Sequence, residues 1–228
     1  MMPQIPERPV AAIFDLDHTL VAASTGTLVL RYVRETGIFD EYFERRAVAS
    51  IVAGTLLYKA GAWDATRIMQ TTARIARGIP LATMWQMVER WFDEQLRHML
   101  APGALERLAW HVDEGHLPII CTASSQFSAL PVARYLGMPH AVYSKWEDDG
   151  TDMTGNVRLP IAYGAGKVFW LRRLAAEHGF RLGDAYFYTD DVSDMPLLQS
   201  VGHPNAVNPS KKLRIVAGRN NWPILTWY

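Results

Sequence analysis

The chain reads as an α/β protein built on a mostly parallel, Rossmann-like sheet. Three observations carry this. Short apolar runs at 10–14, 117–121 and 185–188 have the texture of strands buried on both faces. Helical patterns separate them, the alternation expected of parallel strands joined by crossover helices. Each run ends in polar residues, and the carboxyl ends of strands are where open α/β sheets bind ligands.

Taken in order, the first strand runs into Asp15-Leu16-Asp17-His18-Thr19, and a small polar bridge, Ala22-Ala23-Ser24-Thr25-Gly26, follows. Helical patterns then dominate to about residue 100. Leu28, Val29, Tyr32 and Val33 share one helix face, stopped by Gly37. Residues 40–60 predict a second helix, bent near Gly54. Asp64 caps a third that ends at Gly78, and Pro80 opens a fourth. The apolar positions of the fourth are 81, 84, 85, 88, 92, 96 and 99. At this spacing Trp63, Met69, Met84, Trp85, Met87 and Trp91 read as helix-bundle core. Residues 27–100 are thus expected to form a helical insert without strands, and Pro102-Gly103 marks its far boundary.

Beyond it the pattern predicts helix 104–114, strand 117–121, helix 126–136 and a short strand near 141–144. Asp149-Gly150 signals a β-hairpin over 143–159. Gly164-Ala165-Gly166 reads as a flexible start to helix 167–178. Strand 185–188, a short helix near Ser193, a last strand at 203–207, a helix from about 210 and an aromatic tail complete the chain.

Lys plus Arg and Asp plus Glu number 23 each, so the formal net charge is zero. That provides no global field for nucleic acid or anionic lipid. One cysteine, Cys121, excludes an internal disulfide and a cysteine-rich zinc site. Within a strand it reads as an inert packed thiol. No run approaches the roughly 18 apolar residues of a membrane span, and the first residues lack a signal-peptide stretch. A cytoplasmic protein with no membrane partner is expected.

The chemistry-bearing residues form one set. Asp15 and Asp17, two apart on an extended chain, face one site. Close carboxylates repel unless a cation or a shared proton intervenes. Asp190 and Asp194 are four apart, so a helix beginning between them aims both at one point. Three or four converging carboxylates with few histidines suit a hard cation such as Mg2+. Thr122, with nearby backbone N–H groups such as that of Ala123, and the Lys167 ammonium suit phosphate oxygens. This is an inventory for phosphoryl transfer. His18, between an Asp and a Thr in a turn, reads as a local hydrogen-bonding group.

On these residues the chain resembles the haloacid dehalogenase (HAD) superfamily of phosphatases, in the subgroup that contains phosphoserine phosphatase. The first family motif, D-x-D-x-T, matches Asp15-Leu16-Asp17-His18-Thr19. The second, a Ser or Thr ending an apolar strand, matches Thr122. The third, a Lys opening a helix, matches Lys167. The fourth, D-x-x-x-D, matches Asp190 to Asp194. The resemblance spans nearly the whole chain. It implies a catalytic core of 1–22 and 101–228, with 23–100 as an inserted α-helical cap of the C1 type. It implies Asp15 as nucleophile, forming an aspartyl phosphate, and Asp17 as acid–base. Thr122, Ala123 and Lys167 would hold the phosphate. Mg2+ would lie on Asp15, the Asp17 backbone carbonyl and Asp190, with Asp194 through water, and Asp191 is an alternative to Asp194.

Two positions depart from the subgroup. Phosphoserine phosphatases carry a Glu seven residues after the second Asp, where it holds the substrate ammonium; here Ser24 stands there, which disfavours phosphoserine. Ser193 stands where Asn is common. The expected activity is Mg2+-dependent hydrolysis of a small-molecule phosphate ester; histidinol phosphate, phosphoserine or another amino-alcohol phosphate, and lipid-related phosphates are the open choices. The alternatives are a phosphotransferase or phosphomutase, and a non-catalytic phosphate-binding module.

Overall fold

The computed structural model of the chain describes residues 8–42, 54 and 64–228. Its sheet is built from β1 (Ala11–Phe14), β2 (Leu117–Ser125), β3 (His140–Ser144), then β6 (Tyr186–Thr189), β7 (His203–Val207) and β8 (Ile224–Leu225). The spatial order is β3-β2-β1-β6-β7-β8, and each neighbouring pair is parallel. The chain moves outward from β1 to β2 and β3, then returns to the other side of β1 for β6, β7 and β8. The β1–β6 boundary is therefore a topological switch point, with an open crevice beyond its carboxyl ends.

Successive strand residues face opposite sides, so β1 feeds two cores. Ala12 and Phe14 join Ile120, Tyr188, Trp91, Leu108 and Trp227 on one face. Ala11 and Ile13 join Ile119, Phe187, Leu171 and Leu213 on the other. Cys121 lies in that second core, and burial pushes its thiol up, out of reach of nucleophilic use. His111 is buried in the first layer, bonded to His116 (Nδ1···Nδ1 2.7 Å) and the Tyr188 hydroxyl (2.9 Å). Burial pushes its pKa down to about 3, which keeps the ring neutral.

Between β1 and β2 lie α1 (Thr25–Thr36), α2 (Ala65–Ile75), α3 (Leu81–Glu94) and a 3-10 turn, Leu96–Met99. The Ser24 hydroxyl caps α1 and the Asp64 carboxylate caps α2, the latter accepting from Arg67 N–H at 2.8 Å. The expected helix at 40–60 falls largely on 43–53 and 55–63, which lie outside the described residues, as does Trp63. Among the described residues of 27–100 there is no strand. Helix α3 stops sooner than its periodicity predicts, because Gln95 adopts φ −133 and breaks it; positions 96 and 99 continue in the 3-10 turn. Met84, Met87 and Trp91 are buried core, as their spacing implies, with Trp85 packed partly buried against them. Met69 differs: its sulfur accepts from Trp146 Nε1 at 3.1 Å, against the hairpin.

That hairpin is β4 (Trp146–Asp148) with β5 (Met153–Val157), antiparallel and shorter than 143–159. Asp149 closes its turn by accepting from the Thr151 and Asp152 N–H groups. The remaining helices are α4 (Pro102–Asp113), α5 (Gln126–Tyr135), α6 (Ala165–His178), α7 (Met195–Leu198) and α8 (Lys211–Arg219). Pro102 and Gly103 are the first turn of α4 rather than a spacer before it. The aromatic tail supplies β8 and places Trp227 in the first core, 5.3 Å from the Tyr188 ring. A side chain at Gly103 would meet Trp227 Cδ1 at 2.6 Å, so this close approach requires glycine.

Candidate active site

Asp15 directly follows β1, and its backbone N–H donates to Tyr188 O at 2.9 Å, extending the sheet pairing by one residue. Its buried carboxylate meets a lysine from across the switch point. Lys167 Nζ donates to Asp15 Oδ1 at 2.8 Å and to Asp194 Oδ2 at 2.7 Å. Thr189, the last residue of β6, donates its hydroxyl to the same Asp194 oxygen at 2.6 Å. Lys167, Asp194 and Thr189 are all buried.

The position of Lys167 depends on a glycine. It is the third residue of α6, and a Cβ on the preceding Gly166 would collide with the Ile161 carbonyl oxygen. Gly164 begins the helix at φ 53, ψ −121, a conformation that suits glycine. Gly166 is therefore a requirement of close packing and Gly164 of backbone conformation, not the flexible start that the sequence suggests.

Electrostatics in the crevice are dominated by burial. Desolvation pushes the Asp15 carboxyl up to about 7; Lys167 opposes this, and Asp194 and Asp17 add to it. Asp190 is pushed up to about 8 by burial and by the charges of Asp15, Asp191 and Asp194. Burial disfavours the Lys167 charge, but Asp15 and Asp194 overcome it and hold the ammonium charged. In the crevice several carboxyl groups thus share one lysine.

Asp17 is held differently. Its Oδ2 accepts from Ser124 Oγ at 2.7 Å, and its Oδ1 accepts from the Thr25 backbone N–H in the first turn of α1. Thr25 Oγ1 and Ser124 Oγ are 3.1 Å apart. The second-strand loop and the start of α1 therefore both grip this carboxylate. Thr122 is buried, its Oγ1 accepting from Ser124 N–H at 3.0 Å, which leaves its proton to donate. Strand β2 extends through Ala123 to Ser125, four residues past the apolar run.

The structure brings Asp15, Lys167, Asp190 and Asp194 to one crevice. The expected convergence of three or four carboxylates on one metal is not present as such: among the described residues, no three His, Cys, Asp or Glu side chains are gathered to hold an ion. The reason is visible in the hydrogen bonds. Asp17 is turned to Ser124 and Thr25, and Asp194 to Lys167 and Thr189. Asp191 instead accepts from Ser193 N–H at 2.9 Å and caps the short 3-10 turn, Val192–Asp194. Ser24 spends its hydroxyl on the α1 cap, accepting from Thr27 N–H at 3.4 Å and from the Thr27 hydroxyl at 3.3 Å. Ser124, Thr25 and Thr189 carry no motif of their own; Ser124 and Thr189 lie one or two residues from one, and Thr25 lies in the small polar bridge after the first.

The model of the haloacid dehalogenase-like hydrolases matches residues 12–199. The chain belongs to this family. A Mycobacterium tuberculosis protein named as a probable phosphatase is 30% identical over 97% of this chain and 77% of its own length. A phosphoserine phosphatase of the same organism is 29% identical over 94% and 70%, and a histidinol-phosphatase of Neisseria meningitidis is 25% identical over 95% and 98%. A solved Bordetella pertussis protein of unknown function shares 27% identity, with TM-score 0.87 over 97% of this chain and all of its own. A phosphoserine phosphatase with an analogue of its phospho-aspartyl intermediate shares the fold, with TM-score 0.68 and 16% identity over 97% and 95%. Our chain is a phosphatase of the haloacid dehalogenase kind. Among its described residues no helix is long and apolar enough to cross a membrane.

Proposed function

We propose that the chain is a Mg2+-dependent phosphomonoesterase that hydrolyses a small phosphorylated metabolite through an aspartyl phosphate on Asp15. The observation that carries this reading is the buried Asp15–Lys167–Asp194 cluster at the switch point. Lys167 orients the Asp15 carboxylate and offers positive charge to phosphate oxygens. Thr122 and the backbone N–H of Ala123 supply further donors.

In the proposed reaction Asp15 attacks phosphorus, an O–P bond forms, and the ester P–O bond breaks. Asp17 gives its proton to the departing oxygen. Asp17 then takes a proton from water, which attacks the acyl phosphate, frees inorganic phosphate and restores Asp15. The donor set fits Mg2+: the Asp15 and Asp190 carboxyls are both raised by burial and by neighbouring carboxylates, which a hard cation relieves. Asp15, the Asp17 carbonyl and Asp190 would hold it, with Asp194 through water. Bound there, Mg2+ supplies charge neutralisation between an anionic nucleophile and a phosphate dianion.

The helices between residues 23 and 100 serve, in this reading, as a cap over a core of 1–22 and 101–228. Its hinge side is coupled to chemistry through the bond from Thr25 to Asp17. The substrate class is an amino-alcohol or similarly small phosphate ester in the cytoplasm. Histidinol phosphate fits it better than phosphoserine, because Ser24 offers no carboxylate to an ammonium and its hydroxyl already caps α1.

The test is hydrolysis of p-nitrophenyl phosphate with Mg2+, by wild type and by Asp15→Asn. We expect EDTA to abolish turnover and the variant to lose at least about a thousandfold. Turnover by the variant within a few-fold of wild type would exclude the mechanism.

A further inference from the structure

The segment after β7 carries a residue that no motif covers. Asn208 turns the chain at φ 41. Its N–H donates to Leu225 O at 2.8 Å, and its Oδ1 accepts from Trp227 N–H at 3.0 Å. Strand β8 pairs with β7 through Val207 and Leu225. Trp227 is wedged between Phe14, Tyr188 and Gly103. These contacts fix residue 228 beside the catalytic crevice.

There the Tyr228 hydroxyl donates to the His18 carbonyl at 3.3 Å, a contact 210 positions apart in sequence. The Tyr228 ring is half-exposed, and a phenol, with an ordinary pKa of about 10, keeps its proton at neutral pH. His18 directly follows Asp17 and sits at φ 55, the left-handed region. A non-glycine residue persists there only when its surroundings hold it. On the amino side of His18, its N–H, in the peptide shared with Asp17, donates to Ala23 O at 3.2 Å. On the other, Tyr228 grips the carbonyl.

We propose that Tyr228 is a positioning residue for Asp17: its hydroxyl braces the carbonyl of His18, the residue that follows Asp17, and so fixes how Asp17 presents its proton to the leaving oxygen. Ser124 and the Thr25 N–H restrain the Asp17 side chain, and Tyr228 restrains the residue next to it in the chain. This role rests on the phosphatase reading given above.

A brace on the acid matters only where the acid is needed. A nitrophenoxide leaves without a proton, whereas the far more basic phenoxide depends on one. The ratio kcat/KM covers the steps through departure of the leaving group, so slow hydrolysis of the aspartyl phosphate does not mask the effect. The experiment compares p-nitrophenyl phosphate with phenyl phosphate, in wild type and in Tyr228→Phe, with thermal unfolding of both proteins. We expect kcat/KM for phenyl phosphate to fall about five- to tenfold, the scale of one hydrogen bond. For p-nitrophenyl phosphate it should stay within about twofold. The ratio of the two esters is internal to each preparation, so partial unfolding of the variant cancels. Equal loss on both esters makes the contact merely structural and overturns the proposal, as does no loss on either. Failure of wild type to hydrolyse either ester overturns the phosphatase reading instead, and the role of Tyr228 with it.

Discussion

Replacing Lys167 with Met leaves two buried carboxylates, Asp15 and Asp194, without the ammonium that now bonds them at 2.8 and 2.7 Å. Methionine approximates the lysine stem, so the variant removes charge with little change in packing volume. Removing one partner of a buried ionic set costs about 3–5 kcal/mol when the remaining charge stays ionised. The carboxylates have an escape, which is to take up a proton. Asp15 already lies near 7 with the lysine present, and it rises further without it.

The sign follows. A carboxyl raised in the folded state holds a proton that the unfolded chain has released, so its stabilisation is present at low pH and lost as pH rises through the folded value. The variant therefore loses stability with rising pH more steeply than wild type. The cost of Lys167→Met should be about 3–5 kcal/mol at pH 8. At pH 5 it should be smaller by at least about 1.4 kcal/mol, the value of one proton over one pH unit. Urea unfolding at the two pH values in EDTA measures this, the chelator ensuring that no divalent cation takes the place of the ammonium. An equal cost at both pH values, or a negligible cost at pH 8, would refute the reasoning.

Gly166→Ala forces a Cβ onto the Ile161 carbonyl oxygen, one residue before Lys167. We expect about 1–3 kcal/mol of lost stability in urea and a fall in kcat of at least about tenfold, since small displacements of a catalytic lysine are costly. Ser24→Ala removes the α1 cap and should cost about 0.5–2 kcal/mol. It should leave p-nitrophenyl phosphate turnover within about twofold, because a cap contact is made equally in ground and transition states.

Much of this site was legible along the chain because its residues sit at strand ends, where local pattern fixes position. The run at 10–14 and the following D-x-D placed Asp15 without help from any distant residue. The same held for Asp190, directly after β6. What could not be read were contacts between residues far apart in sequence. Ser124 reaches Asp17 across 107 positions, and Tyr228 reaches His18 across 210. Gly166 looked like flexibility because the Ile161 carbonyl that requires it lies beyond a turn. Ser24 stands where the subgroup holds a substrate ammonium, and only the fold shows that its hydroxyl satisfies a helix N–H. The two-residue strand β8 is too short for periodicity to announce.

The central claim is that Asp15 carries the phosphoryl group. It is tested most directly by mixing the protein with p-nitrophenyl phosphate and Mg2+, quenching in acid within the first turnovers, and reducing the acyl phosphate with borohydride. Peptide mass analysis then reads which aspartate has become homoserine. The account predicts conversion at Asp15 and none in Asp15→Asn; conversion at another residue, or none during active turnover, would contradict it.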